Sequence, residues 1–349
     1  MLIIHLGAMG SVVRSSALLR KIKSEDSSSF VIWLTSSSVK SILEGHSAID
    51  RLITLDFEGL LKLKNYFFDR VFVVDKSQEA VGVLGFLKYN ELYGFVANPK
   101  NGAILPASKE SEEIWELGID NHKKFFVNKK SELQLIFESF GFTYQREDYW
   151  IELTSSEIKS SKLRKEAWLK MNHKKIILGI NTGCSHIIPY KKLTVEKHLD
   201  LIKEISQNFP YLQIVLLGGR EDLERNNAIK NSIKDVIQSD NLSGLRDGMI
   251  SVNACDIVIS GDSLGMHLGI AFKKFTIAWF GPTCEQEIDL FDLGVKIKTT
   301  LDCAPCWKRS CSQEKMCYDH VELEHFIKAV EKGISFFEPT RDRLLESNI

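Results

Sequence analysis

The segment DIVISGDSLGMHLGIAF places polar residues where a predicted strand gives way to a helix. Asp262 follows a strand rich in Ile and Val, and Ser263, Leu264 and Gly265 open the helix. Backbone N–H groups at a helix N-terminus, together with a hydroxyl, suit an anionic ligand such as a phosphate. His267 lies in the first turns of that helix and can face the same ligand, although a lone histidine on an apolar helix is usually packed in a core. The pattern predicts an anion-binding loop.

Two other loops follow predicted strands and carry residues suited to a nucleoside diphosphate. Thr182 ends the strand KIILGINTG, and Lys191 stands just ahead of the next helix, where a cation can reach a diphosphate. Glu221 follows LQIVLLGG at a helix start, where a carboxylate can bind a ribose or favour the helix dipole. Taken alone, Lys191 is more simply interpreted as one of two solvated surface lysines, with Lys192 as the other.

The opening stretch LIIHLGAMGSVVRSSALL is a strand, a glycine loop and a helix. Its G-x-x-G spacing lacks the third glycine and the acidic residue of a dinucleotide-binding loop. Gly10 still allows close backbone approach at a helix N-terminus, which suits an anion or a sugar hydroxyl. A tight strand-to-helix turn explains the loop equally well.

Four cysteines fall within fifteen residues in the spacing C-x2-C-x4-C-x5-C: Cys303, Cys306, Cys311 and Cys317. Four thiolates this close can hold zinc tetrahedrally, and by count they can also hold an iron–sulfur cluster. Reduced thiols or disulfide pairs are the alternatives. The spacing predicts a structural zinc site as one of these outcomes.

Composition restricts the class of protein. The chain has 349 residues and a formal net charge of -1, which argues against a general nucleic-acid binder. No apolar run reaches the ~20 residues of a membrane-spanning helix, and no secretory signal is visible. We therefore expect a cytoplasmic protein.

Strand-like and helix-like segments alternate through both halves of the chain. This βαβα rhythm predicts parallel sheets with helices on both faces, in two doubly wound domains. Between residues 80 and 149 the pattern loosens, and we expect an irregular insertion there rather than sheet. Residues 155–175 are charged with helical period and predict the connection between the halves. Ligands of such sheets bind beyond the carboxyl ends of the strands, where every loop named above lies.

The motifs resemble those of the family 9 glycosyltransferases, typified by bacterial ADP-heptose:lipopolysaccharide heptosyltransferases. The segments that carry the resemblance occur in the family's order: LGAMG, GINTGCS, VLLGGREDLE, NLSG, GDSLGMH and FGPT. It implies a GT-B fold, two Rossmann-like domains facing across a cleft. The acceptor-binding domain would span residues 1–160, the donor domain residues 161–335, and a tail, residues 336–349, would return towards the first domain.

The resemblance also implies roles for residues of the second domain. Asp262, Ser263, Leu264, Gly265 and His267 would contact the donor's diphosphate and sugar. Thr182 and Lys191 would hold the diphosphate, and Glu221 the ribose, while Gly10 would belong to the ligand-binding loop of the first domain. No metal would be required, because lysine and helix N-termini stabilise the leaving group.

One position departs from the family's pattern. The opening loop of heptosyltransferases usually reads G-D-V, with the aspartate as general base, whereas this chain has Ser11. Serine at its ordinary pKa cannot accept the proton. Asp75, after the strand RVFVV, can serve as base instead, or a dissociative transfer can proceed with little base help. The third explanation is a sugar-nucleotide-binding homologue without catalytic activity.

The partners follow from the resemblance as well. It implies a nucleotide-sugar donor, ADP-heptose first, and a lipopolysaccharide core or lipid A-linked acceptor. Such an acceptor predicts peripheral contact with the inner membrane from the cytoplasmic side. No nucleic acid partner is expected.

Overall fold

The computed structural model describes residues 1–171 and 174–346. The chain divides into two compact units. The first contains residues 1–152 and the short segment 286–289, and the second contains residues 153–285 and the chain from residue 290 onward.

The first unit is built on a five-stranded parallel sheet with the order β3-β2-β1-β4-β5. Its strands are β1 (Leu2–Ile4), β2 (Ile32–Thr35), β3 (Arg51–Thr54), β4 (Phe67–Val73) and β5 (Lys88–Tyr93). Its helices are α1 (Met9–Ser15), α2 (Ala17–Glu25), α3 (Lys40–Leu43), α4 (Phe57–Leu63), α5 (Gln78–Gly82), α6 (Glu112–Glu116) and α7 (Glu132–Ser139). A separate antiparallel pair joins β6 (Phe95–Ala97) and β7 (Ile104–Pro106). Strand β1 is central and completely buried, as its LII sequence requires.

Two expectations for this unit were wrong in detail. The single helix expected after the opening glycine loop is two helices, α1 and α2, which meet at Ser16. The Ser16 hydroxyl donates to the Val13 carbonyl. The stretch expected to be irregular contains β5, which pairs in parallel with β4. Strand β5 reads KYNELY and lies at the sheet edge, so it lacks the apolar run by which the buried strands were predicted.

The second unit has a six-stranded parallel sheet with the order β10-β9-β8-β11-β12-β13. Its strands are β8 (Ile176–Asn181), β9 (Leu212–Leu217), β10 (Val236–Gln238), β11 (Ile257–Gly261), β12 (Phe275–Phe280) and β13 (Gly294–Lys298). Its helices are α8 (Ser155–Met171), α9 (Val195–Asn208), α10 (Leu223–Ser232), α11 (Leu245–Ala254), α12 (Leu264–Ala271) and α13 (Leu323–Glu346). Buried Ile, Leu and Val side chains of the central strands form its core. The predicted α/β class, with doubly wound parallel sheets, is confirmed.

Helix α8 follows the first unit in sequence and is fixed to the second by ion pairs. Arg246 pairs with Glu157, and a guanidinium nitrogen of Arg164 lies 2.6 Å from a carboxylate oxygen of Asp247. The division between the units thus falls at residue 152, ahead of the predicted bound at residue 160. Residues 336–346 continue α13, and residues 347–349 of the predicted tail lie outside the described residues. Its return to the first domain stays a prediction.

Across residues 1–171 and 174–346, no helix combines the length and apolarity needed to cross a membrane.

Candidate functional site

The second sheet reverses its direction of winding between β8 and β11. Strands β9 and β10 extend the sheet on one side of β8, and β12 and β13 extend it beyond β11. In open parallel sheets, the crevice at such a point, beyond the carboxyl ends of the strands, is where ligands bind. Asn181, the last residue of β8, connects this strand to the end of β11. Its Nδ2 atom donates to Oγ of Ser263 at 2.9 Å and to Oγ of Ser260 at 3.1 Å.

Three charged or titratable side chains converge beside this crevice. Nζ of Lys191 lies 3.2 Å from Oδ2 of Asp262, and Nε2 of His267 lies 3.9 Å from Oδ1. All three side chains are largely buried. Burial alone would raise the pKa of Asp262, but the positive charges of Lys191 and His267 hold it below its ordinary value. The aspartate is therefore ionised at neutral pH and fixes the lysine ammonium at the crevice.

The N-terminus of α12 supplies backbone donors at the same place. Ser263 is the N-cap residue, yet its hydroxyl accepts from Asn181 and makes no cap hydrogen bond, as far as the described residues show. The first N–H groups of a helix lack partners within the helix, so those of Leu264 and Gly265 suit an anion. A Cβ on Gly265 would stand 2.6 Å from Cγ of Asn181, and one on Gly261 would stand 1.9 Å from the Lys191 carbonyl oxygen. Only glycine fits at either position.

The first sheet has a similar point of reversal, between β1 and β4. Asp75 follows β4, and its Oδ2 atom accepts the backbone N–H of Leu6 in the loop after β1. Its Oδ1 atom lies 3.6 Å from Nε2 of His5, whose Nδ1 atom is 2.6 Å from the Ser15 hydroxyl. Burial lowers the pKa of His5 more than Asp75 raises it, so the imidazole is neutral. Asp75 thus stands against the glycine loop, as a base acting there requires.

A second carboxylate cluster lies near Ser11. One Arg14 guanidinium nitrogen is 3.0 Å from the Ser11 hydroxyl and 2.8 Å from a Glu132 carboxylate oxygen. Glu287, from the short segment 286–289, lies 3.4 Å from Nζ of Lys124. Burial and the neighbouring Glu132 charge raise the pKa of Glu287 to about 7. Ser11 therefore lies in a charged surrounding, although it carries no charge itself.

Residues 62–317 match the model of glycosyltransferase family 9, the heptosyltransferases. The chain belongs to this family. It is a glycosyltransferase, as its motifs predicted. Lipopolysaccharide heptosyltransferase 1 of Campylobacter coli is 22% identical over 357 aligned residues, which cover 95% of this chain and 97% of that relative.

Solved structures share the fold of this glycosyltransferase. The family 9 glycosyl transferase of Veillonella parvula has a TM-score of 0.72 at 15% identity, covering 95% of this chain and 96% of the other. A heptosyltransferase of E. coli solved with ADP has a TM-score of 0.62 at 13% identity, covering 95% and 99%. The predicted GT-B class is confirmed at the level of fold.

The structure brings together part of the predicted site of this enzyme. Lys191, Asp262 and His267 are in contact, and Ser263, Leu264 and Gly265 form the helix start beside them. Thr182 is fully buried: its hydroxyl donates to Oδ1 of Asn226 at 2.5 Å and its backbone N–H to the Leu217 carbonyl at 3.4 Å, so the structure does not present it to a ligand. Glu221 is exposed on the turn after β9, and no described hydrogen bond or ion pair joins it to Asp262.

Sequence reasoning missed residues whose roles come from contacts distant in the chain. Asp222, next to the predicted Glu221, is buried against Gly183, and burial raises the pKa of its carboxyl. Asn181 directly precedes the predicted Thr182, and in the structure it connects the two loops of the crevice. Its position at the end of β8, the strand at the point of reversal, is the signal that could have identified it.

The cysteine segment packs beside the same crevice. The backbone N–H groups of Cys306 and Trp307 donate to the Pro282 carbonyl at 2.9 Å. The Trp307 ring lies 5.9 Å from Nζ of Lys191, measured to the ring centroid. This contact is within the range of a cation–π interaction.

Proposed function

We propose that this glycosyltransferase moves a heptose from ADP-heptose to a lipopolysaccharide core or lipid A-linked acceptor, without a catalytic metal. The observation that carries the proposal is the group of Lys191, Asp262 and His267 beside the start of α12. The names of the relatives support the substrates, since one is a lipopolysaccharide heptosyltransferase and another was solved with ADP.

In this proposal the diphosphate binds to the first backbone N–H groups of α12 and to the Lys191 ammonium. Both stabilise the negative charge that develops on the leaving ADP. Asp262 holds Lys191 in place and, with His267, contacts the sugar side of the donor. Glu221 has the exposure needed to reach the ribose, whereas Thr182 is buried and supports its loop from inside the fold. A preorganised cation and helix N-terminus supply what a metal ion supplies in other transferases.

The first unit would bind the acceptor at the loop that contains Gly10 and Ser11. The attacking acceptor oxygen forms the new bond to the anomeric carbon as the bond to the diphosphate oxygen breaks. Asp75 accepts the acceptor's proton, since its carboxylate stands against this loop. A positioned base contributes about 10²–10⁴-fold to the rate, so a serine at position 11 requires that another group supply it.

A homologue that binds sugar nucleotides without transfer is the second candidate. Ser11 in place of the expected aspartate favours it. Both candidate functions predict donor binding, but only the enzyme predicts turnover.

The acceptor also sets the proposed location. A lipid A-linked acceptor is anchored in the inner membrane, and its heptose donor is cytoplasmic. We therefore propose a cytoplasmic enzyme in peripheral contact with that membrane.

Calorimetric titration with ADP, ADP-heptose, UDP and UDP-glucose tests the donor site. Selective binding of the two ADP ligands, followed by release of ADP when acceptor is added, supports the enzyme. Selective binding without ADP release supports the silent homologue. Equal or no binding of all four ligands contradicts both candidates.

A further inference from the structure

The four clustered cysteines line a single cavity. Its volume is about 30 Å³, and Cys303, Cys306, Cys311 and Cys317 all contribute to its wall. About 10–15 Å³ of such space admits one water molecule, so the cavity can admit a single ion.

None of the four cysteines forms a disulfide bond in the structure. Four thiolates around one cavity would repel one another unless a cation lay between them. Lys308 also lines the cavity and can offset the net negative charge of a tetrathiolate centre.

The segment that carries these cysteines has little regular structure of its own. Residues 299–316 contain neither helix nor strand. Besides the bonds to Pro282 described above, the backbone N–H of Cys311 donates to the Tyr190 hydroxyl at 3.3 Å. A connection of this length in a compact domain is uncommon unless a ligand, a function or a cross-link orders it.

We propose that Cys303, Cys306, Cys311 and Cys317 bind one zinc ion, which orders the segment and so positions Trp307 against Lys191. Zinc accepts four thiolates in a closed tetrahedral site at about 2.3 Å. No three potential ligands already converge on one point within the described residues, so the thiols must turn inward from the cavity wall when the ion binds. The site is structural, because all four positions around the metal are taken by protein.

The coupling to the donor site follows from adjacent positions in the chain. Trp307 directly follows the ligand Cys306, and its Nε1 atom donates to Sγ of Cys284 at 3.3 Å. Its ring faces Lys191, the cation proposed to hold the diphosphate. Loss of the metal would release the segment and leave that lysine without its aromatic neighbour. This second step rests on the proposed function, whereas metal binding does not.

Metal analysis of the full chain, purified without a metal-affinity tag, tests the site directly. We expect about one zinc per chain, and its loss in Cys306→Ser and in Cys311→Ser. Cys184→Ser is the matched control, because Cys184 is buried outside the cluster and its Sγ atom donates to the Ile188 carbonyl at 3.5 Å, a bond serine can replace. Cobalt added to the metal-free chain should give the charge-transfer absorption of a cobalt thiolate site in wild type and Cys184→Ser only.

Three results overturn the zinc site. The first is a metal-free chain with all seven cysteines titrating as free thiols after denaturation. The second is fewer than seven thiols, which indicates disulfides. The third is one iron per chain in place of zinc. If the metal is present but no form binds ADP, the proposed function fails while the zinc site stands.

The coupling has its own test. Removing the metal with a chelator should weaken ADP binding several-fold, and Trp307→Ala should do the same while keeping its zinc. Unchanged ADP affinity after confirmed metal loss refutes the coupling. Thermal unfolding of each form shows whether a variant has lost its fold.

Discussion

Nζ of Lys191 lies 3.2 Å from Oδ2 of Asp262, at the point where the second sheet reverses its winding. The pair joins two loops that follow different strands, β8 and β11. A lysine held by an ionised, largely buried aspartate is oriented before any ligand arrives, so little side-chain entropy remains to be lost on binding.

The first prediction separates Lys191 from its neighbour in sequence. Lys191→Ala should weaken ADP binding by roughly tenfold to a hundredfold, the loss expected for a charge-assisted hydrogen bond. Lys192→Ala is the matched control, because no described ion pair joins Lys192 to Asp262. We expect its ADP affinity to stay within about threefold of wild type. Equal losses in both variants would mean that the lysines act through general charge alone; calorimetry measures the difference.

The second prediction concerns the base. Asp75→Asn should slow turnover by about 10²–10⁴-fold, because the amide cannot accept the acceptor's proton. ADP affinity should not change, since Asp75 belongs to the first unit and the donor residues to the second. Full activity in this variant would exclude Asp75 as the base.

A double variant sharpens this test. Ser11→Asp restores the acid usual in the family, and Arg14, 3.0 Å from the Ser11 hydroxyl, can pair with it. Added to Asp75→Asn, it should recover part of the lost rate. A structural role for Asp75, through its bond to the Leu6 N–H, would instead lower Tm and would not be rescued.

Much of this architecture follows from local sequence, and the failures have physical reasons. Strands such as LQIVLL in β9 are buried on both faces, so their apolar runs identify them. Strands β5 and β13 lie at sheet edges and mix polar with apolar residues, so no run marks them. The Asp262 loop was predictable because its residues are consecutive in sequence. The position of Glu287 could not be predicted, because segment 286–289 belongs to the first unit while its flanking residues belong to the second.

The third prediction is a pH dependence of stability arising from Glu287. Its folded pKa of about 7 is above the unfolded value of about 4.3, so the folded state holds a proton that the unfolded state has lost. Rising pH therefore costs stability between about pH 4.3 and about pH 7. Glu287→Gln cannot ionise, so its Tm relative to wild type should increase across this window.

A matched substitution controls for the loss of a glutamate as such. Glu285→Gln removes the pair with Lys296, 3.3 Å away, where both side chains are about one-third exposed. Exposed pairs contribute about 0–1 kcal/mol, so this variant should follow wild type across the same pH range. A constant Tm difference between Glu287→Gln and wild type would contradict the prediction.

The fourth prediction tests the close approach of the two loops at the crevice. A Cβ at position 261 would stand 1.9 Å from the Lys191 carbonyl oxygen, a backbone atom that no side-chain rotation can move. Gly261→Ala should therefore destabilise the chain by at least about 2 kcal/mol, or, if the loops separate, weaken ADP binding along with the Lys191–Asp262 pair.

Gly248→Ala is the control, because its Cβ would meet nothing within 4 Å and it lies inside α11. That helix should gain about 0.5–1 kcal/mol from alanine. Thermal unfolding and ADP titration of both variants decide the matter: a Gly261→Ala chain as stable and as tight-binding as wild type would show that the loops do not depend on this contact.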